Sequence, residues 1–367
     1  MTKQTNIFAE VVDEKAMEQF ESAMAQPWAV KGALMPDVHM GYTLPIGAVV
    51  ATEGMIVPAY IGFDIGCGVC AVKTEFIKAD IERYREDIFN RIYKHVPVGF
   101  SRNDKEATPL GLYDYPCSDK LYGICDDRGG MYQLGTLGGG NHFIEIGTDE
   151  SGAVWIIVHS GSRGVGHGVA SHYMRLASGD GKAREGHFAF PVDGPDGRDY
   201  IADMEWCLKF ALYNRKEIVD RVGCAISGVV YDTYTPLDFI NRNHNHATER
   251  DGLWIHRKGA THAEDGMEGV IPGNMRDGSF IVRGKGNPDA LWSSSHGAGR
   301  VLGRKEAKMV LSLEEFKESM LGVTAKVGEG ALDESPMAYK DIFGVMELQK
   351  DLVDVVAHVK PIINIKG

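Results

Sequence analysis

Long apolar runs are missing from this chain of 367 residues: no stretch approaches the roughly 18 consecutive apolar residues that a membrane helix needs. Cysteine is sparse. The six residues at 67, 70, 117, 125, 207 and 224 form no extracellular disulfide framework, and a chain of this length needs no such staples. The first residues, MTKQTNIFAEVVDEKAMEQF, lack an apolar core behind a basic start, so no secretory signal is expected. These absences point to a cytoplasmic protein with reduced thiols. Positive charge is also in deficit, with 39 Lys and Arg against 51 Asp and Glu, a net charge of −12. That balance argues against broad, sequence-blind binding of duplex nucleic acid.

Glycine, in contrast, is abundant: 45 residues, or about 12% where about 7% is usual. It has no three-residue period, and 44% hydrophobic residues suffice for a core, which excludes collagen-like and disordered chains. Helical periodicity runs over 13–26, stopped by Pro27, and over 79–95, 198–222 and 338–359. Ser312 and Glu315 have capping-box spacing, which predicts a helix starting after Ser312. Strands are predicted over 44–52, 68–76, 142–147, 154–159, 279–283 and 362–365. Helices and strands do not alternate, so a doubly wound parallel sheet is not expected. The pattern reads as a single α+β domain spanning residues 1–367, with many loops.

The glycines gather where the polar residues are. The clusters read PDVHMGY (36–42), GFDIGCG (62–68), LGTLGGGNHFIE (134–145) and HSGSRGVG (159–166), followed by HN (244–245), HRKGA (256–260), IPGNM (271–275) and SHGAGR (295–300). Any one of them could be a tight turn. Eight together, nearly all carrying His, Cys, Asp or Arg, indicate a ligand pressed against bare backbone, whose successive N–H groups form anion-binding concavities.

Asp64 and Cys67 lie three apart across a glycine-flanked turn, so a carboxylate and a thiolate can converge on one ion. His142 starts one predicted strand, His159 ends the next, and His244 sits in a separate His-Asn pair. Together they offer more ligands than one tetrahedral ion requires, and a thiolate can bridge two ions about 3.5–4 Å apart. Ligand type alone suits zinc. His39, His246, His256 and His262 are equally available, so spacing does not choose the set. Cys67 and Cys70 form a C-x-x-C, but the AVKTEFI after them reads as a strand where a redox pair would open a helix.

The segments MPDVH, FDIGCG, LGTLGGGNHFIE, HSGSRGVG, HRKGA, IPGNM, SHGAGR and the C-terminal AYKDI…IKG, in this order, resemble the RtcB RNA ligases from about Met35 to Gly367. The resemblance implies an α+β fold with mixed sheets, flanking helices and a deep metal-containing cleft. It implies joining of an RNA 3′-phosphate, or 2′,3′-cyclic phosphate, to a 5′-hydroxyl, with GTP and two manganese ions, in RNA repair or tRNA splicing. Asp64, Cys67, His142, His159 and His244 match the manganese ligands, with Cys67 bridging. His296 matches the histidine that takes GMP from GTP, and Asp37 the group that orients it. Asn141 and the Gly297–Ala298–Gly299 backbone match phosphate holders, and Glu145, Ser279, Tyr339 and Lys366 the guanine pocket. Arg163, Arg300 and Arg304 suit clamps on RNA phosphates; Arg300 and Arg304 share a face if their segment is helical. The family often works with an archease-type activator, and a monomer is expected.

Two positions depart from the family. Asn274-Met275-Arg276 stands where Ser-Met-Gly is frequent, and Thr43 where glycine is frequent; Asn274 keeps a hydrogen-bond donor for a GTP phosphate. Within the family, the rival activity is capping of a 3′-phosphate with GMP without joining. Outside it, a two-metal phosphoesterase would need the Asp and His ligands but neither His296 nor Lys366.

Overall fold

The computed structural model describes residues 3–107, 109 and 111–367. Two mixed sheets carry the fold. The larger has eight strands, running in space Glu268–Pro272, Ser279–Gly284, Val353–Lys366, Phe143–Thr148, Val154–Ser160, Gly68–Thr74 and Pro236–Asn243, with Thr324–Ala325 paired beside Val353–Lys366. The smaller orders Gln4–Ile7, Ala29–His39, Ile46–Glu53, Leu253–Lys258 and Asn245–Arg250. Most pairings are antiparallel; Gln4–Ile7 with Ala29–His39, and Thr324–Ala325 with Val353–Lys366, are parallel. The architecture is α+β, as the irregular order of elements predicts.

The helix Pro195–Val230 packs one face of the larger sheet, and Ile218, Val219, Val222 and Ile226 join Val72, Ile144, Ile156 and Val158 in one core. Proline at its first turn suits the start, since that N–H has no helical partner anyway. A second core lies between the sheets, where Met35, Val49 and Ile255 meet Ile271, Phe280 and Val282. No described helix is long and apolar enough to cross a membrane.

The periodic segment 79–95 is two helices, Lys78–Arg83 and Arg85–His95, and 198–222 is the core of the 36-residue helix Pro195–Val230. Ser312 caps Leu313–Ser319 as its spacing predicts, accepting from the N–H groups of Glu314 and Glu315. The segment 338–359 is not one helix. Only Ile342–Leu348 is helical, and the chain then enters the strand Val353–Lys366. Its β-branched residues satisfy helical and extended spacing alike; pairing with Ser279–Gly284 on one side and Phe143–Thr148 on the other decides for the strand. The helix Arg163–Ser178 was not legible, because its glycines read as a loop. Gly168 lets it pack closely, since a Cβ there would fall 2.6 Å from Ile124.

Candidate metal and nucleotide site

Strand ends and glycine turns bring the chemistry together. Cys67 Sγ lies 3.3 Å from His142 Nε2 and 3.2 Å from His159 Nε2, and these three buried residues could hold a metal ion. His244 Nε2 is 3.3 Å from His159 Nε2, and Asp64 Oδ2 is 3.5 Å from His142 Nε2. Leu137 O accepts from His142 Nδ1, leaving Nε2 free to ligate. The Arg163 Nη1 contact to the same Nδ1 at 3.2 Å is then a packing contact, because both nitrogens carry protons.

The donor chemistry fits a divalent cation. Burial, then neighbouring positive charge, holds His159 and His244 well below the usual histidine range, so both are neutral bases. Burial would raise Asp64, but the His142 hydrogen bond and charge outweigh it and leave it ionised, at about 2. Burial and the Asp64 charge push the Cys67 thiol well up. A thiolate there calls for a cation beside it.

The fully buried Arg215, inside Pro195–Val230, ties the ligand loops together. Its guanidinium donates to Gly66 O (3.0 Å), Ser160 O (2.7 Å), Asn241 Oδ1 (2.7 Å) and Asn243 Oδ1 (2.6 Å), each next to or near Cys67, His159 or His244. Its neighbour Asn214 accepts from Gly135 N and Thr136 N and donates to Gly161 O, fixing the glycine loop before Asn141. A charged residue within a long helix pattern carries no signal of such a role, and sequence reasoning missed both.

The other histidines stay out of the cluster. His246 and His262 bond each other at 2.7 Å, and His256 accepts from Val57 N. His39 donates to the Asp37 carbonyl and lines the adjoining cavity. Cys70 faces the apolar core, not Cys67, and burial pushes its thiol up to about 12, so the C-x-x-C is no redox pair.

His296 stands at the edge of the cluster, its ring 4.8 Å from that of His244. Its Nδ1 donates to Asp37 Oδ2 at 2.6 Å, and its backbone N–H donates to the same oxygen at 3.1 Å. Asp37 is fully buried in the strand Ala29–His39. Gly299, at φ +75°, packs on the Asp37 carbonyl where a Cβ would fall 2.3 Å away, so only glycine serves.

Beside His296 lies a cavity of about 300 Å³, reached also by Asn141, Glu145, Tyr339, Asn364 and Lys366. Glu145 Oε1 and Asn364 Oδ1 at its wall, and Ser279 Oγ, are buried without hydrogen-bond partners. Burial pushes Glu145 up to about 8, offset only in part by the charge of the Lys366 ammonium. Unmet acceptors on one wall suit a ligand that presents donors. Asn274 also lines the cavity, but its amide donates to Asp277 Oδ2 and its oxygen accepts from the N–H groups of Arg276 and Asp277. The Ala298 N–H is likewise spent, on Pro272 O. Asn364 was not foreseen from sequence.

The tRNA-splicing ligase RtcB family model matches residues 19–113 and 125–367. The chain belongs to the RtcB family. It is 35% identical to the RNA-splicing ligase RtcB1 of Escherichia coli over 97% of this chain and 95% of that protein. Identity to the tRNA-splicing ligase RtcB of Nanoarchaeum equitans is 30%, over 97% of this chain and 92% of the other.

In this RtcB chain the three arginines separate. Arg304 starts the helix Arg304–Val310 and Arg300 precedes it, so they share no helical face. Both instead reach Glu334, a buried acid that sequence reasoning missed: Arg304 Nη1 at 2.5 Å and Arg300 Nη1 at 3.6 Å. Lys366 Nζ and Tyr339 OH meet the other carboxylate oxygen at 2.5 and 2.7 Å. Burial would raise Glu334, but Lys366 and Arg304 hold it at about 2. Nothing in Asp-Glu-Ser-Pro marks this acid; its charged partners arrive from two distant segments, around Arg300–Arg304 and at Lys366. Arg163 faces a different cavity, on the Asp64 and His142 side.

Proposed function

We propose that this chain works as one catalytic domain that joins an RNA end carrying a 3′-phosphate to a 5′-hydroxyl end, using GTP and two manganese ions. A 2′,3′-cyclic phosphate end would first be opened by water. The observation that carries the reading is the pairing of buried Asp37 with half-buried His296, set between a cysteine–imidazole cluster and a cavity with unmet acceptors.

Asp37 takes the Nδ1 proton of His296 as a hydrogen bond, which leaves the Nε2 lone pair as nucleophile. Nε2 attacks the GTP α-phosphorus; a P–N bond forms and pyrophosphate leaves. An oxygen of the RNA 3′-phosphate then displaces His296, giving RNA(3′)pp(5′)G and restoring the imidazole. The 5′-hydroxyl attacks the RNA phosphate, loses its proton, and GMP departs. Asp64, Cys67, His142, His159 and His244 would hold the metal. Bound manganese supplies charge neutralisation for the phosphates. Glu145, Ser279, Tyr339 and Lys366 hold guanine; Asn141, Asn274 and the 297–299 backbone lie along the phosphates. Arg163 meets the RNA end, while Arg300 and Arg304, paired with Glu334, line the nucleotide cavity. Archease-like activation fits this cycle.

A gel assay tests it. With GTP and manganese, a labelled 3′-phosphate strand is expected to give joined product when a 5′-hydroxyl strand is added; a strand that only gains GMP would establish capping instead.

Glu145 adds a pH dependence. The guanine edge donates two hydrogen bonds, which a carboxylate accepts better than a carboxylic acid. With Glu145 at about 8 in the free protein, guanosine affinity is expected to rise between pH 6 and 8 and then level off. Glu145→Gln should bind weakly and without that slope. Calorimetry with guanosine, which lacks a titrating phosphate, measures both.

A further inference from the structure

On the side of the metal cluster away from the nucleotide cavity lies a second cavity, of about 510 Å³, bounded by Asp64 and His142. Its wall carries three arginines, Arg102, Arg128 and Arg163. None of them makes an ion pair among the described residues, whereas Arg300 and Arg304 both do. Each lies against bare glycine. The Arg163 guanidinium sits on Gly138, where a Cβ would fall about 2 Å away; Arg102 sits on Gly129 and the Arg128 stem on Gly168. Arg163 holds a left-handed φ of 57°, a strained backbone for a residue with a Cβ, and this sets the head of its helix over Gly138.

Aromatic rings accompany these charges. Phe63 and His167 stack at 5.0 Å with planes 22° apart. Phe100 is fully exposed, although a large apolar ring in solvent gains nothing from folding. Its loop is nevertheless held: Gly99 N donates to Gly138 O at 2.8 Å and Val98 bridges Gly138. Gly138 thus anchors both the Phe100 loop and the Arg163 guanidinium, only four residues before His142. Unpaired guanidiniums tracking a backbone, with an aromatic face on which a base stacks, are what single-stranded nucleic acid binding requires.

We propose that this cavity takes the terminal nucleotides of the RNA strand bearing the 3′-phosphate, with Phe100 stacking a base and Arg102 and Arg128 joining Arg163 on its phosphates. The proposal rests on the RNA-joining reading above and adds a place for the strand. A 5′-hydroxyl end has no terminal phosphate and would leave one guanidinium without a partner, which is why the phosphorylated end is assigned here.

The test is fluorescence anisotropy on the full chain with manganese and no GTP, using a labelled oligoadenylate ending in 3′-phosphate or in 3′-hydroxyl. Phe100→Ala is expected to weaken binding roughly tenfold, with Phe100→Trp restoring it and Phe100→Leu not. Arg128→Ala should reduce the slope of log affinity against log salt by about 0.7 and erase the preference for the phosphorylated end, while Arg128→Lys keeps most of the slope. A merely structural role would not move the salt slope. Unchanged binding by Phe100→Ala, or equal affinity of wild type for both ends, would overturn the assignment. Failure of wild type to take up GMP from GTP would instead sink the joining reaction, and is read separately.

Discussion

His296→Ala is expected to abolish covalent labelling of the chain by GTP. No other imidazole in the site combines an exposed edge on the nucleotide cavity with a carboxylate fixing its Nδ1 proton. His39 lines the same cavity but donates to a backbone carbonyl, and burial lowers it to about 4. Mass spectrometry of wild type incubated with GTP and manganese should show one GMP adduct, lost in acid as a phosphoramidate is. Asp37→Asn should slow its formation about 10²- to 10⁴-fold, because an amide can present its N–H to Nδ1 and favour the wrong tautomer. An adduct retained in His296→Ala would remove the nucleophile from the mechanism; an unchanged rate in Asp37→Asn would remove the orienting role.

Glu334→Gln is expected to have the largest effect on stability. Lys366, Arg304, Arg300 and Tyr339 all meet this buried carboxylate, and among the described residues only Arg304 has a second carboxylate partner, Asp333. Removing its charge leaves cations facing one another in a poorly solvated place, at a cost of roughly 3–5 kcal/mol, read by urea unfolding. The pH dependence has a definite sign. Glu334 falls from an ordinary 4.5 to about 2 on folding, so its contribution is complete above pH 4.5 and fades as pH falls toward 2. Glu145, at the same cavity, moves the other way, and its burial costs stability as pH rises from 4.5 to about 8. Glu334→Gln should therefore flatten the acid limb, and Glu145→Gln the limb between 4.5 and 8. If Glu334→Gln unfolded at the wild-type urea concentration, the carboxylate would not be holding the cluster.

Much of the site was legible because its residues sit in glycine-rich turns whose composition has no other economical explanation. Asp64, Cys67, His142, His159 and His244 come from such turns or the strand ends beside them, and the structure places them side by side. What was not legible depends on partners far away in the chain. Glu334 is an ordinary acid until Lys366 and Arg304 arrive, and Arg215 an ordinary helical arginine until three loops close over it. The same holds for the fold. Residues 353–359 read as helix because period alone cannot register the neighbouring strands that claim them, whereas 362–365 at the end of the same strand read as strand. Arg163–Ser178 carried no helix signal because glycine lowers helix propensity while allowing the close packing that stabilises this helix.

The place of Val353–Lys366 in the middle of the larger sheet bears on how the protein is made. The strands on either side of it, Ser279–Gly284 and Phe143–Thr148, are synthesised earlier. Until Val353–Lys366 has been made and inserted, each presents an open edge, and open edges recruit other chains. The nucleotide cavity lacks both Asn364 and Lys366 over the same interval. A nascent chain is therefore prone to aggregate and its cavity beside His296 is incomplete, and a single late insertion ends both conditions at once.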